Sequence, residues 1–353
     1  MSRLAVRSIP LELQELTATW FTSVLSAEVH TATIEDAHSG TTGRARVRLV
    51  GDPTLPETVF VKLAPFDVGQ RSFVDEHGMG VAEARFYAEI AAEVPVMKPR
   101  ALHAAWDDDG RYVMVFDDFT RAGGAAIAAD HPEMLAIVDG IIDNFAALHA
   151  AFHDDVRFQT GGSLEWVARR SRGYGAGGGP FVRMAMDSLG GQLGAEFVAF
   201  AEFYCQRANE IAEVIGQGTP TLVHGDAHLA NMYVVDTAPG FYDWAVIGAA
   251  PGMRDVAYFL ANSVTTEARR EHEHRWIDRW CAALAAHGIE IAANDAWEQY
   301  RRQAIAGWVA AVATAGVGSK WQPIEVAVRA THRAIAAVAD LGTRDAMREA
   351  GIG

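Results

Sequence analysis

The hydrophobic period of the chain changes near residue 119, and this change limits the possible folds more than any other feature. Before it, short segments rich in β-branched residues and separated by turn formers predict five strands: "AEVHTATI", "GRARVRLV", "ETVFVKLA", "ALHAAW" and "RYVMVF". Helical spacing of apolar residues predicts one helix from Leu11 to Leu25 and another over "GVAEARFYAEIAAEV", between the third and fourth strands. Gly110, in "DDDG", is expected to take a positive φ in a hairpin turn.

After residue 119 the sequence is rich in alanine and mostly helical in period, as in "EMLAIVDGIIDNFAALHAAF". We therefore predict an α+β protein with two lobes. Residues 1–119 are expected to form a small N-terminal mixed lobe with an antiparallel sheet, and residues 120–353 a larger, mainly helical C-terminal lobe. No internal repeat is evident.

Charge and cysteine content argue against some classes of partner. The chain of 353 residues has a formal net charge of −15, which repels nucleic-acid phosphates and anionic lipid but tolerates or attracts a cationic small molecule. Cys205 and Cys281 are too few for a disulfide framework and lack the spacing of a thiolate metal site. No apolar signal segment and no run of about 18 apolar residues is found. We expect a cytoplasmic protein with no nucleic-acid or membrane partner, and the sequence does not indicate its oligomeric state.

The segment "VHGDAHLANM" concentrates the residues most suited to chemistry. Asp226 and Asn231 are five residues apart, which is the interval between aspartate and asparagine in the catalytic loop of protein kinases. Asp243 follows in "GFYDW", after a predicted hairpin. Such a loop presents one carboxylate to a substrate hydroxyl, while an amide oxygen and a second carboxylate bind a hard cation.

The predicted sheet lobe supplies the other parts of a kinase site. Lys62 ends the third strand, where an ammonium can reach nucleotide phosphates, and Glu83 on the following helix can pair with it. Gly40 and Gly43, in "HSGTTG", could cover the phosphates with backbone N–H groups, although a plain hairpin turn explains them equally well. The backbone of "VMVFDDF" is expected to meet the edge of the adenine.

These motifs resemble the aminoglycoside phosphotransferase and choline kinase-like superfamily, particularly its ecdysteroid kinase-like and uncharacterised bacterial branch. The resemblance extends from "GTTGRARVRL" through "VHGDAHLAN" and "YDW" to "RDVAYFL". It implies a protein kinase-like fold that uses ATP and Mg²⁺. It also implies that Asp226 is the catalytic base or hydroxyl-orienting residue and that Asn231 and Asp243 are magnesium ligands. His224 and Asp255 would brace the catalytic loop, and Phe116 and Asp118 would contact adenine.

One departure from protein kinases indicates the class of acceptor. After Asp243 only about a dozen residues precede a predicted helix, so the chain has no long segment on which a peptide could dock. We therefore expect a kinase that phosphorylates a hydroxyl of a small molecule, either an aminoglycoside or a bulky alcohol. The bulky alcohol is suggested by the crowding of Trp276, Trp280, Trp297, Trp308 and Trp321, although core packing is their default interpretation.

Two other functions stay open at this stage. A nucleotide-binding pseudokinase with a regulatory role would share the same residues. A metallohydrolase would use His224, Asp226 and His228 as zinc ligands, but no further ligand cluster is evident, and His272 and His274 point to different faces of a charged helix.

A glycine-rich stretch, residues 173–180, contains "GYGAGG" and fits the dinucleotide-binding pattern G-x-G-x-x-G. No strand precedes it, and Pro180 stands where a helix should begin. We interpret it as a loop rather than as a nucleotide site.

Overall fold

The structure, a computed structural model, describes residues 9–171, 176–318 and 324–352. The chain divides into two compact units. The first consists of the described residues up to Ala125 together with Phe241–Val246, and the second of the described residues of Ala126–Gly240 and Ile247–Gly353. Trp321 and residues 173–175 of the glycine-rich stretch lie outside the described residues.

The first unit contains an antiparallel sheet of five strands, in the order β1-β2-β3-β5-β4: β1 Val29–Ser39, β2 Gly43–Gly51, β3 Thr58–Leu63, β4 Ala101–Trp106 and β5 Tyr112–Asp117. All five strands coincide with predicted segments. β1 is longer than expected, because "EDAHS" pairs with β2 instead of forming a turn. Gly110 has the expected positive φ of +83°.

The first unit also has three helices: α1 Ala18–Leu25, α2 Val68–Glu76 and α3 Met79–Arg85. α1 starts later than the predicted Leu11, because the hydroxyl of Thr17 accepts the backbone N–H of Trp20 at 3.2 Å and so caps the helix there. α2 was not predicted. α3 continues into π-helical turns over Phe86–Ile90, and Gly80 lets α3 approach β5, because a Cβ there would lie 1.9 Å from Tyr112.

The second unit is mainly helical, as the sequence predicted, and the mixed α+β class is confirmed. Its helices are α4 Met134–Ala151, α5 Glu165–Ser171, α6 Gly179–Leu193, α7 Ala195–Ile215, α8 Met253–Asn262, α9 Thr266–Ala285, α10 Ala293–Gly316, α11 Ile324–Asp340 and α12 Thr343–Glu349. Short strands complete the chain: β6 Gly124–Ala126, β7 Thr221–Val223, β8 Met232–Val235, β9 Ala238–Phe241 and β10 Gly248–Ala250.

Helix α10 packs against α6, α8 and α11. The side chains of Trp276, Trp280 and Trp308 are almost completely buried, so core packing, the default interpretation, explains them. Trp297 is partly buried and stacks on His274, with the ring centroids 3.8 Å apart.

Helix α4 is long and apolar enough to cross a membrane by length and composition alone. A core helix passes the same test, so this one helix says little about a membrane. Asp139 of α4 accepts hydrogen bonds from Arg275 and from the Trp276 indole of α9, at 2.9 and 2.8 Å.

The glycine-rich stretch requires a correction. Pro180 does not prevent a helix, contrary to the prediction, because α6 begins at Gly179 and Pro180 occupies its first turn, where the missing N–H costs nothing. The described residues before the stretch end helix α5, not a strand, so the context of a dinucleotide-binding turn is still missing.

Candidate active site

Lys62 and Glu83 form a buried ion pair in the first unit. Lys62 lies near the end of β3 and Glu83 on α3, and only 5% and 1% of these residues are exposed. The Lys62 ammonium donates to both carboxylate oxygens of Glu83 at 2.7 Å. Burial raises the pKa of Glu83, and the Lys62 ammonium opposes this rise. The predicted pairing is therefore present in the structure.

Asp243 belongs to the same cluster. Its Oδ1 lies 3.2 Å from the Lys62 ammonium, and its Oδ2 lies 3.4 Å from Nη2 of Arg44. The backbone of Asp243 has φ +64°, a region that costs a non-glycine residue free energy and persists where neighbours enforce it. Such a neighbour is the next residue, Trp244, whose buried ring stacks on Phe86 with the centroids 4.2 Å apart.

A cavity of about 190 Å³ opens beside this cluster, within the first unit. Its walls combine aromatic rings with basic side chains, and both the carboxylates and the ammonium of the cluster reach it. The aromatic members are Phe60, Tyr87, Phe116, Phe119 and Tyr242, and the basic ones are His38, Arg44, Arg46 and Lys62. A flat, apolar ring system could stack at the aromatic walls, and an anion could bind at the basic end.

The residues predicted to contact adenine, Phe116 and Asp118, both line the cavity. The Asp118 carboxylate is engaged within the protein, since Oδ2 lies 3.0 Å from Nε of Arg46 and Oδ1 accepts the hydroxyl of Thr120 at 2.6 Å. The Asp118 carbonyl accepts the backbone N–H of Arg121 at 3.0 Å.

The two predicted glycines differ in their surroundings. Gly40 lies in the turn between β1 and β2, and an added Cβ would meet nothing within 4 Å. Gly43 starts β2, and a Cβ there would lie 2.5 Å from both the Ala64 carbonyl oxygen and the Phe66 ring. Neither belongs to the described walls of the cavity, so their contact with phosphates stays a prediction.

In the second unit, a buried aspartate supports the loop that follows β7. Asp255 of α8 is fully buried, and its carboxylate accepts the backbone N–H groups of His224 and Gly225 at 2.7 and 3.0 Å. His149 of α4 lies 3.5 Å from the same carboxylate. Burial alone would raise the pKa of Asp255, but the hydrogen bond and charge of His149, the charge of His224 and the backbone N–H of Gly225 outweigh it and lower this pKa.

Gly225 stands where protein kinases have arginine, and the structure gives a physical reason for glycine. Its φ is +82°, a left-handed conformation that a side chain disfavours. This turn directs the chain from the buried His224 to the partly exposed Asp226.

The Asp226 carboxylate is held by three neighbours. Oδ1 accepts the hydroxyl of Tyr258 at 2.5 Å, Oδ2 accepts the amide of Asn231 at 3.0 Å, and Nε2 of His228 lies 3.5 Å from Oδ2. Burial would raise the pKa of Asp226, but the charge and hydrogen bond of His228 and the hydrogen bond of Tyr258 lower it. This carboxylate is therefore ionised throughout the neutral range. The sequence left the role of His228 open, and here it contacts Asp226.

Three residues of these clusters, Arg44, Tyr258 and His149, were not predicted from the sequence. Arg44 and Lys62 are cross-strand partners, and the alternation in "GRARVRLV" could have placed Arg44 on the Lys62 side of the sheet. Tyr258 lies three residues after Asp255 on one helix, a spacing that puts both on one side. No local signal could have predicted that His149, 106 residues away, meets Asp255.

A zinc centre at His224, Asp226 and His228 has no support in the geometry. Among residues 9–171, 176–318 and 324–352, no group of three or more His, Cys, Asp or Glu side chains is arranged to hold a metal ion. His272 packs edge-on against Trp276, and His274 stacks on Trp297.

Comparison with known proteins identifies the family of this chain. A model of the phosphotransferase enzyme family matches residues 34–301, so the chain belongs to this family. The resemblance described from the sequence is thereby confirmed, and the protein is a small-molecule phosphotransferase. A search of curated proteins gave no match.

Solved structures show the same fold at low sequence identity. An inferred aminoglycoside phosphotransferase of Ralstonia eutropha JMP134 is 14% identical, with 94% of this chain and 99% of that one aligned and a TM-score of 0.56. The GDP and kanamycin complex of APH(2″)-IIIa is 13% identical, with 95% of this chain and 99% of that one aligned and a TM-score of 0.52. Choline kinase from Cryptosporidium parvum Iowa II is 10% identical, with 96% of this chain and 95% of that one aligned and a TM-score of 0.52. The predicted protein kinase-like fold is confirmed.

Proposed function

We propose that this phosphotransferase transfers the γ-phosphoryl group of ATP, in a Mg²⁺-dependent reaction, to a hydroxyl group of a small molecule. The observation that supports this most strongly is the Lys62 ammonium, fixed by Glu83 and close to Asp243 beside a cavity with aromatic and basic walls. A base can stack on the aromatic side chains, and phosphates can pair with the cations. We assign Phe116 and Asp118 to the base, and the turn containing Gly40 and Gly43 to the phosphates.

Asp243 and Asn231 are the proposed magnesium ligands. Mg²⁺ prefers oxygen atoms, and these residues offer a carboxylate and an amide oxygen. The carboxylate of Asp243 attracts two cationic side chains in the structure, which agrees with a role in binding a cation. The amide nitrogen of Asn231 donates to Asp226, so its oxygen is the atom we assign to the metal. Bound Mg²⁺ would neutralise the charge of the phosphate oxygens.

Asp226 is the proposed partner of the acceptor hydroxyl. In the transfer, the acceptor oxygen forms a bond to the γ-phosphorus, the bond from that phosphorus to the β–γ bridging oxygen breaks, and ADP leaves. The hydroxyl proton passes to the Asp226 carboxylate. Because the pKa of Asp226 is lowered, this carboxylate is a weak base. Its main task is then to orient the hydroxyl, and it accepts the proton as the new bond forms.

His224 and Asp255 act through Asp226 and not on the substrate. The hydrogen bonds from the loop backbone to Asp255 keep the loop in one conformation. Correct positioning supplies much of the rate enhancement in phosphoryl transfer, so a loop held in this way contributes to catalysis without touching the acceptor.

For the acceptor we propose a cationic amino alcohol. Trp276, Trp280 and Trp308 are buried, which removes the main argument for a bulky apolar alcohol. The solved relatives include a kanamycin complex and a choline kinase, and a net charge of −15 suits a positively charged acceptor. A peptide acceptor is disfavoured, because only residues 244–252 separate Asp243 from α8. The cytoplasmic location expected from the sequence stays a prediction.

The test is a transfer assay with purified protein, ATP and MgCl₂. Amino alcohols, aminoglycosides and uncharged alcohols serve as acceptors, mass spectrometry detects the phosphorylated product, and Asp226→Asn is the matched control. We expect product from at least one amino alcohol with the wild-type protein and a loss of at least about a hundredfold in the variant. Nucleotide binding without product from any acceptor would favour the pseudokinase. Absence of nucleotide binding would refute the proposal.

A further inference from the structure

Strand β2 carries three arginines whose partners differ. Ala45, Val47 and Leu49 are buried on one face of the strand, and the alternating arginines lie on the other. Arg48 pairs with Glu35 and Glu57 near the surface, and Arg46 pairs with Asp118. Arg44 contacts Asp243, the carboxylate that we assign to the metal. Arg48 therefore provides a control of the same residue type, on the same strand, for substitutions of Arg44.

Two cations share the Asp243 carboxylate. Arg44 and Lys62 face each other across β2 and β3, and each contacts a different oxygen of Asp243. The cluster of Lys62, Arg44, Glu83 and Asp243 holds two positive and two negative groups, so its charges balance.

The two cations differ in how firmly they are held. Lys62 is buried and donates to both oxygens of Glu83 at 2.7 Å. The Arg44 side chain is 31% exposed, lines the cavity, and contacts Asp243 at a longer distance of 3.4 Å. The hydroxyl of Thr42 accepts a hydrogen bond from Nε–H of Arg44 at 3.1 Å, which anchors the Arg44 side chain at Nε. Arg44 can therefore change partner at lower cost than Lys62.

We propose that Arg44 is an exchangeable counter-ion. In the nucleotide-free protein it neutralises Asp243, and when the nucleotide binds it turns to the phosphates and releases the carboxylate for Mg²⁺. Guanidinium groups pair well with phosphate oxygens, so the displaced side chain gains a new anionic partner. This inference rests on the proposed function and adds an order of binding: Mg²⁺ alone binds weakly, and Mg²⁺ with nucleotide binds well.

The exchange predicts two opposite effects of one substitution. Arg44→Gln removes a phosphate contact, so ATP affinity should fall about tenfold or more, as expected for a charged hydrogen bond. The same change removes a competitor from Asp243, so the affinity of the nucleotide-free protein for Mn²⁺, used as a probe for Mg²⁺, should rise severalfold. A purely structural role of Arg44 would lower both affinities.

The experiment measures ATP, adenosine and Mn²⁺ binding by calorimetry for the wild type, Arg44→Gln, Arg44→Lys and the control Arg48→Gln. Unchanged adenosine binding shows that the cavity is intact. Arg44→Lys should give intermediate affinities for ATP and Mn²⁺, and Arg48→Gln wild-type ones.

Several results would overturn the inference. Arg44→Gln with wild-type affinities for both ATP and Mn²⁺ would overturn it while leaving the proposed function intact. A Mn²⁺ affinity that falls together with ATP affinity, or loss of adenosine binding in both Arg44 variants, would indicate a structural role. A wild-type protein that binds no ATP would refute both the inference and the function on which it rests.

Discussion

Replacing Lys62 by methionine should destabilise the protein strongly, and a second substitution should reverse most of that loss. The change leaves the Glu83 carboxylate buried beside Asp243 without its ammonium. Breaking a buried ion pair by removing one partner costs about 3–5 kcal/mol. Because Glu83 is 1% exposed and both its oxygens contact Lys62, we expect a value in this range.

The double variant Lys62→Met/Glu83→Met separates stability from function. A buried ion pair replaced by apolar residues of similar size is often no less stable, so the second change should restore about 2 kcal/mol or more. Nucleotide binding should not return, because the proposed phosphate contact is still absent. Stability is measured by equilibrium urea unfolding, and binding by ATP titration.

The pH dependence supplies a further check on the single variant. Without Lys62, burial keeps the pKa of Glu83 in the folded protein above its value in the unfolded chain, about 4.3. The folded state then binds the proton more tightly, so the loss of stability relative to wild type should grow as the pH rises from 5 to 8. A loss that is independent of pH, a double variant as unstable as Lys62→Met, or a double variant that binds ATP normally would refute this reasoning.

Three further predictions concern the loop, the catalytic carboxylate and the glycines. Asp255→Asn replaces one acceptor oxygen by an amide group that faces a backbone N–H. Thermal unfolding should therefore show that the free energy of unfolding falls by about 3 kcal/mol, and kcat should be lower. A wild-type Tm would contradict this prediction. Tyr258→Phe removes a donor that lowers the pKa of Asp226, so the acid limb of the pH–rate profile should move to higher pH, and an unmoved limb would count against that role. In urea unfolding, Gly43→Ala should lower the free energy of unfolding by about 1–3 kcal/mol and Gly40→Ala by less than about 0.5 kcal/mol, since a Cβ would collide with neighbours only at position 43. Equal losses in the two variants would contradict this contrast.

The sequence predicted the parts of the fold that depend on local pattern. Strands β1 to β5 follow from period-two alternation and turn residues, and the helical second unit from its spacing of apolar residues. α2 escaped prediction, since it is a short helix of nine residues that buries only Val74. The start of α1 was misplaced because a single hydroxyl, that of Thr17, determines it.

The candidate site was predictable only where its motifs are continuous or ordered along the chain. The interval between Asp226 and Asn231 is such a motif, and both residues lie together in the structure. Contacts that depend on tertiary folding were not visible: Arg44 reaches Asp243 across 199 residues, and Tyr258 reaches Asp226 across 32. The tryptophans left two interpretations open for the same reason, because sequence spacing cannot distinguish a core helix face from a cleft, and the structure supports the default of core packing for Trp276, Trp280 and Trp308.

The most direct test of the central claim is the transfer of labelled γ-phosphate from ATP to an accepted amino alcohol by purified Asp243→Ala, compared with the wild type at saturating Mg²⁺. The account predicts that the variant stays folded but transfers label at least about a hundredfold more slowly, because a proposed metal ligand is missing. Label transfer at the wild-type rate would contradict the assignment of Asp243 and, with it, the proposed mechanism.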